Sequence, residues 1–187
     1  MATTNRAAIL TKTHKVLKKH YQHVKPADRT VLETLLYACC LQNAPYDKAD
    51  EAFAKLQEMF FDWNEVRVTT ATELAEVLSM LPNSRSTATQ IKRCLQGVFE
   101  THYSFDLETL HKQNLGKAVK LLEEKYGMSP FGVAYVTQTV LGGHAIPLDE
   151  GAMLVMVALG VATEAEAARH QVPGLERAIP KSKGVEF

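Results

Sequence analysis

The chain has 187 residues, and its 21 Lys and Arg balance 21 Asp and Glu, so the formal net charge is zero. That length suits one large domain or two small ones and is enough to bury a core. A zero balance argues neither for nor against a polyanionic partner, which only a local basic patch could favour. No stretch reaches the roughly 18 uninterrupted apolar residues of a membrane span. The N-terminal MATTNRAAILTKTHK lacks the apolar core and cleavage site of a signal peptide. The expectation is a cytoplasmic protein. The three cysteines, Cys39, Cys40 and Cys94, make neither a disulfide framework nor a zinc site and read as reduced core residues.

In chain order, residues 5–22 carry Ile9, Leu10, His14, Val16, Leu17 and Tyr21 on one side of a helix. Lys12, Lys15, Lys18 and Lys19 fall mostly elsewhere and read as a solvated face. His14, His20 and His23 do not form a convincing ligand set. Thr30-Val31-Leu32-Glu33 is a capping box that opens LETLLYACCLQ, an almost wholly apolar and therefore central helix. Pro45 stands where a third helix starts. Thr70-Ala71-Thr72-Glu73 is a second capping box. Leu81-Pro82-Asn83-Ser84 is a turn, followed by a helix with Ile91, Cys94, Leu95, Val98 and Phe99 at helical spacing. Phe105 to Gly127 reads as one or two helices.

Next comes EKYGMSPFGVAYVTQTVLGGHAIPLDEG, residues 124–151. A helical run stops at Gly127, turns through Ser129-Pro130, and re-enters as an apolar helix. A Gly-Gly pair and a short loop then lead to Asp149, at the head of a segment that is apolar all round and so predicts another buried helix. The tail after Gly174 is basic and poorly periodic and predicts loose packing. No segment alternates like a strand. The prediction is an all-α chain of nine or ten helices.

Three pieces, taken in order, resemble the helix-hairpin-helix DNA glycosylase superfamily of the endonuclease III type, over roughly Ala8 to Phe187. LLYACCLQNAPYDKADEAFAKL is similar to the family's second and third helices, with Gln42 ending the second. LPNSRSTATQIKRC is similar to the turn and helix that follow. EKYGMSPFGVAYVTQTVLGGHAIPLDEGAMLVM lines up on the hairpin, the next helix and the aspartate signature. The resemblance implies a two-lobed helical fold, with one lobe over 30–131 and the other joining 1–29 to 132–187. It implies a groove between the lobes that faces Gly127, Met128, Ser129 and Asp149.

Within that resemblance, Gly127, Met128, Ser129 and Phe131 belong to a DNA-binding hairpin, Gln42 fills the gap left by a flipped base, and Asp149 is catalytic. The chemistry is coherent. Unpaired N–H groups at a helix N-terminus bind a phosphate without reading sequence. A carboxylate stabilises the oxocarbenium-like charge that develops when an N-glycosidic bond breaks. Asp149 has a plain alternative as a helix N-cap, and Gly127–Ser129 as simple helix termination.

The departures are as informative. The hairpin's second Gly is Ser129, and Pro130 removes an N–H. Phe131 stands where the bifunctional branch carries a lysine nucleophile, so strand cleavage through a Schiff base has no evident nucleophile. Lys125 lies before the turn. No cysteine follows Cys94, so no iron–sulfur cluster or other cofactor is expected. Either the C-terminus is truncated before the cluster region or this branch lacks the cluster. The expected partner is double-stranded DNA with a damaged, mismatched or abasic site, bound by a monomer and nucleoid-associated if the source is bacterial. The expected activity is monofunctional N-glycosylase. The alternatives are a catalytically inactive DNA-binding protein and a helical interaction module.

Overall fold

The computed structural model describes residues 3–187, with side chains from residue 6 onward. Eleven α-helices and no strand occur among the described residues. They are α1 (Thr3–His20), α2 (Val31–Leu41), α3 (Tyr46–Met59), α4 (Trp63–Val68), α5 (Ala71–Val77), α6 (Ser84–His102), α7 (Leu115–Lys120), α8 (Pro130–Thr139), α9 (Glu150–Ala158), α10 (Glu164–Ala167) and α11 (Leu175–Ala178). The count exceeds nine or ten because α10 and α11 are single turns of four residues each, too short to show a period.

The first core is built around α2. Its start is the predicted capping box: the Glu33 N–H donates to Thr30 Oγ1 at 3.2 Å, and the Thr30 N–H donates to Glu33 Oε2 at 2.9 Å. Every residue of α2 except Glu33 is buried, so the helix has no solvated face. It packs against α3, α6 and α8. The second capping box, Thr70 with Glu73, opens α5 as predicted, and Pro45 is the N-cap of α3. Helix α6 buries Thr87, Ala88, Ile91, Cys94, Leu95 and Val98 in a stripe at helical spacing. From α8, Phe131, Val133, Tyr135 and Val136 join this same core.

The second core is smaller. Leu10 of α1 meets Ile146, Leu148, Met153, Met156, Val161, Val172, Leu175 and Ile179. Two expectations fail here. The tail is not loose: Leu175 and Ile179 lie four residues apart, so they share one face and are buried against this core. Lys181 Nζ donates to the Gly142 carbonyl, and Glu186 pairs with Lys18. Nor is α9 buried all round. Only Met153 and Met156 are inside, whereas Leu154 is 72% exposed. A small core has room for one face of the helix and leaves the other to solvent. Likewise Val16 on α1 and Tyr21 just past its end are exposed and do not join Leu10 and His14 inside.

Candidate nucleic-acid interface

The hairpin between α7 and α8 is held by its neighbours. After α7 the backbone widens into a π-turn over Leu121–Lys125. The N–H groups of Tyr126 and Met128 close it on the carbonyls of Leu121 and Leu122, both at 2.9 Å. The Tyr126 ring is fully buried, and its hydroxyl meets His102 Nε2 at 2.5 Å. Burial raises its phenol pKa to about 12, so it stays protonated at neutral pH. Helix α6 comes close enough that a Cβ on Gly97 would strike the Lys125 carbonyl oxygen. Gly127 takes φ +60°, a left-handed conformation that glycine adopts without strain. Its carbonyl accepts from Gln90 Nε2 at 2.7 Å.

Ser129 is the N-cap of α8. Its hydroxyl accepts from the Gly132 N–H at 3.1 Å and donates to Gln42 Oε1 at 2.6 Å. Pro130 occupies the first helical position, where a missing N–H does least harm. Among the described residues, the N–H groups of Gly127, Ser129 and Phe131 find no acceptor in the protein. They are donors at the head of a helix, a position that favours an anion.

Asp149 caps α9 as the plain reading expects. Its Oδ1 accepts from the Ala152 N–H at 2.7 Å, and the residue is half-buried. The carboxylate therefore sits at the positive end of a helix dipole. The next N–H, that of Glu150, donates to Asn43 Oδ1 at 3.2 Å. Asn43 directly follows Gln42 and has φ +59°. Two consecutive residues at the end of α2 thus tie together the hairpin, through Gln42, and the head of α9, through Asn43. Around them opens a polar cleft of about 410 Å³ whose lining includes Gln42, Asn43, Asn83, Ser86, Gln90, Ser129 and Glu150. A second, more apolar cavity of about 320 Å³ has Tyr46, Tyr135, Leu148, Ala152 and Phe187 in its walls.

Met128 and Phe131 are mostly buried, at 7% and 8% exposure. Phe131 stacks on Tyr135 with ring centroids 6.1 Å apart, and Tyr135 lies against Tyr37 at the same separation. The position of the lysine nucleophile in the resemblance is thus filled by a core aromatic. No group of three or more His, Cys, Asp or Glu residues with metal-binding geometry occurs among the described residues.

Sequence reading missed Asn43 and Gln90. Asn directly after a helix end is a known left-handed cap, and that signal was available for Asn43. Gln90 has no local signature, because its acceptor lies 37 residues away.

Comparison with solved structures shows which architecture this is. Endonuclease III trapped in a covalent intermediate with DNA, an estranged-adenine complex, aligns with a TM-score of 0.71 at 15% identity, over 100% of this chain and 83% of that one. A thermostable thymine-DNA glycosylase aligns at 0.65 and 16% identity, over 100% and 84%. The H. pylori 3-methyladenine DNA glycosylase bound to 1,N6-ethenoadenine aligns at 0.59 and 16% identity, over 97% and 82%. No protein-family model and no curated protein matches the chain. The fold is that of the helix-hairpin-helix DNA glycosylases. Within that class it is of the endonuclease III type.

Proposed function

We propose that this protein is a DNA base-excision repair enzyme, a monofunctional N-glycosylase that removes a damaged or mismatched base. One observation carries the reading: the end of α2 joins a helix-hairpin-helix turn to the head of α9, so that Ser129, Gln42 and Glu150 border one polar cleft. Asp149 stands one residue from that border.

The hairpin's free N–H groups hold a backbone phosphate and so dock the duplex without reading its sequence. The target nucleotide leaves the stack. Its sugar meets Asp149, whose charge opposes the positive charge that develops as the N-glycosidic bond breaks. One carboxylate oxygen is committed to the Ala152 N–H. The other is available to the sugar or to an attacking water. Gln42 lets go of Ser129 and enters the space vacated by the base.

With Phe131 in the core, the position that carries the lysine in the resemblance offers no amine to form a Schiff base with the sugar. The products are therefore a free base and an uncut abasic strand. The test is base release from duplexes that each carry one lesion or mismatch. Release from at least one member of the panel is expected.

A second reading, DNA binding without chemistry, is favoured by the Ser129 side chain, which consumes both the Gly132 N–H and the Gln42 amide. Tight binding of abasic-site DNA with no base released from any substrate would select it.

A further inference from the structure

Helix α6 carries a polar stripe along the hairpin. Ser86, Gln90 and Arg93 follow one another at helical spacing, and Gly97 continues the row. Each has a distinct relation to the turn. Gly97 makes room for the Lys125 carbonyl. Gln90 donates to the Gly127 carbonyl, and Ser86 lines the polar cleft. Between them, the Arg93 side chain lies across Gly127: a Cβ there would stand 2.9 Å from Arg93 Cζ and 3.1 Å from its Cδ.

Near Arg93, the two cations Lys92 and Arg67 are already employed by the fold. Lys92 Nζ donates to the carbonyls of Arg67 and Thr69 at the end of α4. Arg67 is bound by Asn64 and Gln96, with its guanidinium 4.3 Å from the Phe99 ring centroid. Arg93 is exposed, and among the described residues it has no carboxylate or carbonyl acceptor. It is a cation seated on the turn with its donors unspent. The turn keeps the free N–H groups of Gly127, Ser129 and Phe131 but no charge of its own, and it lacks two further donors, since Pro130 has no N–H and Ser129 takes the one on Gly132.

We propose that Arg93 supplies the charge of the DNA grip, its guanidinium binding the phosphate held at the Gly127–Ser129 turn. The inference rests on the DNA-binding reading above. A guanidinium presents paired N–H donors that match phosphate oxygens, and its charge compensates for the missing backbone donor. It also explains how a protein of zero net charge directs DNA to this surface, because one correctly seated cation acts locally where a global field is lacking.

The experiment is a salt series of binding to a duplex with one tetrahydrofuran abasic-site analogue, for wild type, Arg93→Gln and Arg93→Lys. Melting temperatures near wild type are expected for both variants, since Arg93 is exposed. Arg93→Gln should weaken binding about tenfold at low salt and flatten the slope of log K against log salt by about 0.9, one phosphate's worth. Arg93→Lys should keep the wild-type slope. An Arg93→Gln slope equal to wild type, or a slope that Arg93→Lys fails to restore, overturns the proposal and leaves the DNA-binding reading intact. Wild-type protein that binds no DNA overturns the reading and this proposal with it.

Discussion

The Ser129 hydroxyl donates to Gln42 Oε1 at 2.6 Å, across 87 residues of sequence. That bond joins the residue that caps α8 to the residue that ends α2. Without DNA it holds the hairpin closed on the side chain that the proposed mechanism needs free. Ser129→Gly should release both Gln42 and the Gly132 N–H. Glycine is a tolerable N-cap, so stability should fall by only a few tenths of a kcal/mol. Binding to abasic-site DNA should tighten. Weaker binding in a titration would instead show that the hydroxyl itself contacts DNA.

Gly97 is the close approach on which the hairpin's position depends. A Cβ there meets a backbone carbonyl oxygen, which cannot rotate aside as a side-chain tip can. Gly97→Ala should destabilise the fold by about 1–3 kcal/mol, the usual scale of overpacking, and should lower DNA affinity as the turn is pushed from α6. Denaturant unfolding and a binding titration check both. A variant as stable as wild type would mean that α6 and the turn separate without penalty.

Between α1 and α10, Arg6 forms a two-pronged pair with Glu166 at 3.0 and 3.1 Å. The Arg6 guanidinium, with help from the Thr163 N–H, holds the Glu166 carboxyl down at about 2 against an ordinary 4.5. The folded-state value is depressed. The pair's contribution is therefore present above pH 4.5 and is lost as pH falls from there towards 2. In wild type, stability should decline more steeply over that window than in Arg6→Ala, as followed by thermal melts at stepped pH. Parallel declines would show that the pair contributes nothing to stability over that window. Because the pair is only partly buried, the difference should shrink in high salt.

Much of this was legible in the chain because its signals are local. The Thr30–Glu33 and Thr70–Glu73 boxes, Pro45, and the Gly127 turn each lie within a few residues of what they control. The sides of helices were harder to read. The apolar run from Met153 to Leu159 predicts a buried helix, yet Leu154 and Val155 face outward, because exposure depends on how many neighbours the fold supplies. The tail fails for the opposite reason: two residues, Leu175 and Ile179, suffice to dock it. The links that assemble the cleft, Gln42 to Ser129 and Asn43 to Glu150, span 87 and 107 residues and leave no local trace.

Phe131 sits in the core, stacked on Tyr135. Borohydride treatment of the protein with abasic-site DNA should therefore trap no covalent adduct, and the strand should stay uncut. An adduct that persists in Lys125→Ala would reveal an amine elsewhere acting as nucleophile.

In the proposed mechanism Asp149 does chemistry as well as capping α9. Asn keeps the shape and still accepts from the Ala152 N–H, so Asp149→Asn should fold like wild type, whereas Asp149→Ala should lose about 1 kcal/mol with the cap. The most direct measurement is single-turnover base release by wild type and Asp149→Asn on the lesion that wild type processes best. The Asp149→Asn rate should fall by about a hundredfold or more with DNA binding retained, the scale of removing a preorganised charge from the transition state. Base release by stable Asp149→Asn at the wild-type rate would contradict it and leave Asp149 a helix cap alone.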